Sequence, residues 1–270
     1  MNKHKKLTIF LCGWPIIVTV LSWFFTFNFL ISSILLFGVP AVVLSALNSK
    51  SILRVLIFSA VFSFVGGFIF EYFGALDNSW YIPSFLPHLY GSITFEAQVW
   101  SLLLTYCTLM FYENFYDHSR HKLLGSRMHY FLPVFSAALV IFIIALTIYG
   151  KIFKINYFYF WGILALLVVP AITFLIDYPR YIKRVLKVAM YFFAVGMLQE
   201  VIALTKGYWY FPGQHFIGWV HIGSLRFPYE ELFFWMIAFT AGVISYFEFY
   251  DDNRIKLSSS KAAHVFNKKY

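Results

Sequence analysis

A chain of 270 residues would suit one large or two small water-soluble domains, but 61% hydrophobic and only 12% charged residues leave too little polar surface to cover them. Mean hydropathy is +0.73, and apolar runs recur near the length that crosses about 30 Å of hydrocarbon, so the expected class is an all-α polytopic membrane protein. The net charge of +9 does not argue for nucleic acid as a partner, because the basic residues lie between the apolar runs, where membrane topology accounts for them.

The chain begins with Lys3, His4, Lys5 and Lys6 ahead of a long apolar run. No small-residue cleavage site follows, and Trp23 with several Phe come next, so this is read as an uncleaved first span rather than a signal peptide. Eight candidate spans follow one another, at about 7–26, 28–47, 52–74, 94–114, 130–149, 157–177, 183–204 and 229–249. Only Thr26, Phe27 and Asn28 separate the first two. Cys12 and Cys107 both sit inside apolar runs, so neither a disulfide nor a metal pair is expected. With the N-terminus inside, the inner segments hold 17 Lys and Arg against 4 outside. The inner set includes Arg120, Lys122 and Arg127, and the outer set is Lys151, Lys154, Lys206 and Arg226. That bias predicts a multi-pass protein of the cell membrane with both termini cytoplasmic and the lipid bilayer as its partner.

Within this series one pattern occurs twice. Gly67, Glu71, Trp80, Tyr81 and Pro83 align without gaps on Gly196, Glu200, Trp209, Tyr210 and Pro212. After a length difference, Gly91-Ser92, Phe95, Glu96 and Trp100 fall on Gly223-Ser224, Phe227, Glu231 and Trp235. Val39-Pro40-Ala41 matches Val169-Pro170-Ala171, Arg54-Val55-Leu56 matches Arg184-Val185-Leu186, and Glu113 and Asp117 match Glu248 and Asp252. The expectation is two parallel four-helix repeats, residues 1–127 and 128–250, with 251–270 a short cytoplasmic tail.

Each half thus offers a helical hairpin with a carboxylate on both arms: Glu71 and Glu96 in one, Glu200 and Glu231 in the other, with Glu230 beside the last. Gly67 and Gly196 precede their glutamates by four residues, on the same helical face, where a missing side chain lets helices approach. A carboxylate in or beside hydrocarbon is costly when ionised, and crowded carboxylates titrate as a group in which one holds a proton and another does not. Acid–base chemistry needs that combination. A plainer role is also open to the glutamates: capping helix starts or accepting from the indoles of Trp80 and Trp209.

Other polar residues are less specific. His88, His215 and His221 have no metal-ligand spacing, so no metal is expected. Glu113, Asp117, Glu248, Asp251 and Asp252 lack the aspartate-rich pattern of magnesium-diphosphate sites and read as a solvated inner face neutralised by Lys. Asp77 has no acidic counterpart, Lys206 standing in its place. Arg226 is near enough in sequence to pair with Glu230 or Glu231.

Pro228-Tyr229-Glu230-Glu231-Leu232-Phe233-Phe234 resembles the small integral-membrane lycopene cyclases, found as two-subunit bacterial enzymes or as fused archaeal and fungal domains. That family carries a Pro-x-Glu-Glu motif followed by Phe, after a Gly-containing loop and an upstream Trp, and is built from two related multi-span halves, so the likeness spans most of residues 30–250. It implies a redox-neutral isomerisation without a cofactor. An acid protonates the terminal double bond of a linear carotenoid, the cation closes a ring, and a base removes a proton. By motif position Glu230 and Glu231 are the implied acid/base pair, and the repeat adds Glu71, Glu96 and Glu200. Trp80, Tyr81, Trp209, Tyr210 and Trp235 are the implied substrate-binding aromatics, their ring faces suited to a cation. The first half departs from the motif, with Ser92-Ile93-Thr94-Phe95-Glu96 and no proline. The family's heteromeric forms leave homo- and hetero-oligomers both open. Competing readings are a carotenoid hydratase, a proton-coupled transporter or binding protein for an apolar substrate, and a Glu-Glu intramembrane protease. The last lacks its Arg, whose place Phe234 occupies.

Overall fold

The computed structural model describes residues 3–91, 93–117, 128–149 and 154–251. Ser92, Arg120, Lys122, Arg127, Lys151, Asp252 and the rest of the tail, with the expected boundary between halves at 127/128, lie outside the described residues.

Among the described residues the helices form eight continuous stretches: α1 (Lys3–Phe24), α2 (Phe29–Leu47), α3 (Ser49–Leu76), α4 (Phe95–Tyr112, prolonged by the π-helical turn Glu113–Asp117), α5 (Met128–Tyr149), α6 (Phe158–Asp177), α7 (Pro179–Lys206) and α8 (Glu230–Tyr250). The chain is therefore an α-helical membrane protein. Six of these, α1 to α3 and α6 to α8, are long and apolar enough to span a bilayer, while α5 contains a shorter apolar helix, Pro133–Ile148. The fourth expected span, α4, is not in that set, because it carries Glu96, Gln98, Thr105 and Thr108, all buried. It is an interior helix, packed against α2, α3, α7 and α8. Aliphatic side chains such as Val42, Ile141 and Ile176, 70%, 67% and 70% exposed, stand on the outer helices, a surface suited to hydrocarbon.

The break between the first two spans is real. Asn28, in extended conformation, caps α2 by accepting the Ile31 N–H at 2.9 Å, satisfying one of the donors a helix start leaves open.

Proline shapes three helices. Pro15 has no N–H for the Leu11 carbonyl one turn earlier, and the Tyr191 hydroxyl of α7 donates to that oxygen at 2.9 Å. Pro40 and Pro170 each follow a π-helical turn, Ile34–Gly38 and Leu164–Val168. Carbonyls of those turns accept from neighbouring helices, Leu35 from Trp14 Nε1 at 2.7 Å and Leu166 from the Tyr246 hydroxyl at 2.9 Å. A backbone group without a partner is expensive in hydrocarbon, so these aromatic donors fix which helices touch.

At one end of the bundle, Asn48 and Tyr178 lead into single 3-10 turns, Ser49–Ser51 and Pro179–Tyr181. There the acidic residues are not a solvated face. Glu113, Asp117 and Glu248 are buried, Glu113 meeting Arg54 at 2.6 Å and accepting from Ser51 at 2.9 Å, and Glu248 accepting from Tyr112 at 2.5 Å. The expectation fails because the neutralising cation comes from another helix rather than from the lysines near in sequence.

The loops at the other end hold two short antiparallel hairpins that hydropathy did not reveal: β1 (His88–Tyr90) with β2 (Ile93–Thr94), and β3 (Trp219–Ile222) with β4 (Leu225–Pro228). Gly91 and Gly223, at φ 55° and 60°, make the reversals. Each hairpin delivers the chain into a carboxylate-bearing helix, α4 or α8.

Candidate active site

Two tryptophan–glutamate pairs frame the site. Trp80 donates through Nε1 to Glu71 at 2.8 Å, and Trp209 donates to Glu200 at 3.2 Å. In both cases the glutamate lies on a helix and its tryptophan nine residues later on the loop that leaves it. A Cβ on Gly74 would overlap the Trp80 ring, so this glycine is what lets the indole fold back onto its own helix. Between the loops, Tyr81 and Tyr210 exchange both backbone hydrogen bonds at 2.9 Å.

The two pairs are joined by a ladder of aromatic rings. Trp80 stacks on Phe70 at 5.4 Å, Phe70 on Trp235 at 5.6 Å, Trp235 on Trp100 at 6.0 Å, and Trp100 meets Trp209 at 6.2 Å. Phe29 presents its edge to Trp209 at 5.4 Å, and Tyr159 does the same to Trp80 at 5.0 Å. Each such contact contributes about 0.5–1.5 kcal/mol beyond area burial, enough to hold the walls apart as a rigid box. Within it is a small cavity lined also by Ile82 and Phe211 and carrying Glu71 and Glu231 on its wall. A second cavity, which shares Trp100, Trp209 and Trp235 with the first, has Glu200 and Glu231 together on its wall.

Glu231 is the carboxylate common to both spaces. It is 7% exposed, and the Tyr159 hydroxyl of α6 donates to its Oε2. It stands in the π-helical turn Glu230–Trp235 that opens α8, and such one-turn widenings recur at functional sites. Asp77 supports Tyr159 from behind: its Oδ2 accepts the Phe158 N–H at 3.2 Å and its Oδ1 meets His215 Nδ1 at 2.6 Å, with Lys154 at 3.9 Å.

Glu71, Glu200 and Glu231 are thus brought together, whereas Glu96 and Glu230 line none of these cavities. Glu96 accepts from Ser84 Oγ at 2.6 Å and from the Phe85 and Leu86 N–H groups at 3.2 Å; Glu230 accepts the Ile217 N–H at 2.7 Å. Both clasp the loop that precedes their own hairpin. Trp80, Trp209 and Trp235 line the box, but Tyr81 and Tyr210 do not, their side chains being each 50% exposed. Arg226 lies over the Trp219 ring, 3.8 Å from its centroid, and among the described residues pairs with neither Glu230 nor Glu231. No group of three metal-ligating side chains occurs among the described residues. Sequence reading passed over Tyr159, Phe29 and Phe70. A signal for the first two existed: Phe29 precedes Val39-Pro40 by about the distance at which Tyr159 precedes Val169-Pro170.

Fold and site together define a class: an α-helical membrane protein enclosing an aromatic box with carboxylates on its walls. Beyond that class, no family model, no curated protein and no solved structure matched this chain.

Proposed function

We propose that the protein is a membrane-embedded cyclase of a linear polyene, of the carotenoid or isoprenoid class, working by protonation and deprotonation without net redox change. The observation that carries this reading is Glu231, held by the Tyr159 hydroxyl against an aromatic box and sharing a second cavity with Glu200. An apolar, aromatic-lined space excludes water and suits a polyene, and ring faces attract a carbocation. In the proposed cycle the protonated member of the Glu200–Glu231 pair delivers its proton to a terminal alkene carbon. The resulting tertiary cation is attacked by the alkene that closes the ring, and the ionised carboxylate removes a neighbouring C–H proton. Electrons and atoms balance with no cofactor. Glu71, beside Trp80, faces the other end of the box. Glu96 and Glu230 are assigned loop-holding roles, which moves the acid/base pair from Glu230–Glu231 to Glu200–Glu231.

The same reading includes two parallel four-span halves in the cell membrane, with both termini cytoplasmic. Tyr81 and Tyr210 are equivalent in the sequence repeat, and reciprocal bonding of equivalent residues is what a local two-fold axis produces. The roles of Glu96 and Glu230 also suggest a register shifted by one residue from the sequence alignment. Glu96 then matches Glu230 and Trp100 matches Trp235, so the intervals differ by one residue, which the π-helical turn absorbs. Glu231 becomes a feature of the second half alone, and one half reacts while the other shapes the box.

Expression in cells that accumulate lycopene, followed by chromatography and mass measurement of the pigments, tests the activity. A new pigment of unchanged mass is expected. A pigment heavier by one water would mean that water traps the cation, making the enzyme a hydratase, and unaltered lycopene beside abundant folded protein would overturn the reading.

A further inference from the structure

A third cavity, between α3, α4, α5, α6 and α8, shares Phe70, Glu71, Trp100 and Trp235 with the box. Most of its wall is apolar, with Phe62, Phe135, Leu167 and Phe239 prominent. Gly66 and Gly67 of α3 contribute no side chain to it. Among its few polar side chains, beside Glu71, Ser101 and Tyr246, is Gln98 of α4. It is 1% exposed, lines this cavity, and neither its Nε2 nor its Oε1 has a hydrogen-bond partner. Its neighbour along the wall, Trp100, also has a buried Nε1 without a partner.

A buried amide with all its hydrogen bonds unmade is strongly disfavoured unless something else completes them. Its setting narrows what that is. Glu71 is on the same wall, which disfavours an anionic group. An ammonium has no acceptor to offer the amide N–H. A carbonyl would satisfy Nε2 and leave Oε1 bare. A hydroxyl is both donor and acceptor and satisfies both amide atoms at once. Gly67 preserves this arrangement, since a Cβ there would come 3.5 Å from Gln98 Oε1 and 3.3 Å from Ser101 Oγ. The turn that opens α8, Glu230 to Trp235, contains no amide side chain, so the feature belongs to one arm of the chamber.

We propose that this cavity is a subsite for the hydroxyl-bearing end of an apolar isoprenoid chain, read by the Gln98 amide. The inference rests on the reading of the chamber as a polyene site and adds a preference to it: a chain oxygenated at the end away from Glu231 binds more tightly than the hydrocarbon, which remains a substrate. Sites that hydrogen-bond a substrate hydroxyl discriminate strongly against the analogue lacking it, because their own polar groups are then left unpaired.

The test compares farnesol with farnesene, an alcohol and a hydrocarbon of the same carbon number, by tryptophan fluorescence quenching of the full chain in lipid nanodiscs, with empty nanodiscs correcting for partition. Farnesol is expected to bind at least about tenfold more tightly. Gln98→Leu is expected to bring the two within about twofold by weakening farnesol alone. Gly66→Val, placed where a Cβ meets only Phe135 at 3.9 Å, is expected to weaken both by filling the arm. Equal binding of the two probes to the unaltered protein, or a preference that survives Gln98→Leu, overturns the subsite and leaves the cyclase reading standing. Binding of neither probe overturns both, and a farnesol preference abolished by Gln98→Leu in a protein that leaves lycopene unaltered counts against the cyclase reading alone.

Discussion

At the scale of single residues the account turns on how each buried carboxylate is held. Glu96 and Glu230 each use an oxygen to hold loop N–H groups, the basis of the structural role proposed for them, while Glu231 receives a phenol hydroxyl from another helix. A hydrogen bond to a charged group contributes about 1.5–3 kcal/mol, so Tyr159→Phe is expected to slow product formation by about ten- to a hundredfold with the protein still folded. Rates of pigment conversion in isolated membranes check this, and an unchanged rate would remove Tyr159 from the mechanism. The Arg54–Glu113 pair at the inner end gives a contrasting prediction. Removing one partner of a buried ion pair typically costs about 3–5 kcal/mol, whereas replacing both by apolar residues is often near neutral. Arg54→Leu is therefore expected to lower the thermal midpoint sharply, and Arg54→Leu with Glu113→Leu to recover most of the loss. Similar losses in both would mean that Arg54 stabilises through other contacts.

At the scale of elements, the deciding features are local departures from the α-helix. The long apolar runs made the helices readable, because hydrocarbon length and hydropathy leave few other solutions. They did not make the π-helical turns readable, since a one-residue widening changes neither composition nor length. The hairpins before α4 and α8 were hidden too, their strands being two to four residues long and rich in the same aromatics as the helices. Among site residues, Glu71, Glu200 and the tryptophans were legible because they repeat, and Glu231 through the Pro-x-Glu-Glu motif. Tyr159 was not, because its counterpart Phe29 has no hydroxyl. The inner acids were misread because their partners come from other helices, which spacing along the chain does not encode. The π-helical turn at Glu230–Trp235 carries a prediction of its own. Deleting Leu232 would restore an α-helical interval and turn Glu231 away from Tyr159, so activity should vanish while helical content by circular dichroism is retained. Full activity in the deletion would show that the widened turn does not position Glu231.

At the scale of the whole molecule, both tryptophan–glutamate pairs and both hairpins gather at one end of the helical bundle, and the buried Arg54–Glu113 pair lies at the other. The positive-inside bias of the sequence predicts that the second end faces the cytoplasm. In a chain lacking Cys12 and Cys107, Tyr90→Cys and Ile222→Cys, whose parent residues are 49% and 47% exposed, are expected to react with a membrane-impermeant thiol reagent from outside intact cells. Lys50→Cys is expected to react only after the membrane is opened. Labelling of the two hairpins from opposite sides would contradict the parallel arrangement of the halves.

The central claim is that a carboxylic acid of the Glu200–Glu231 pair donates the proton that starts ring closure. Conversion of lycopene by membranes equilibrated in heavy water tests it most directly, because a carboxyl proton exchanges with solvent and the substrate's C–H bonds do not. The account predicts one deuterium in the product for each ring closed, and no product from Glu231→Gln membranes carrying the same amount of folded protein. A cyclic product free of deuterium, or full conversion by Glu231→Gln, would contradict it.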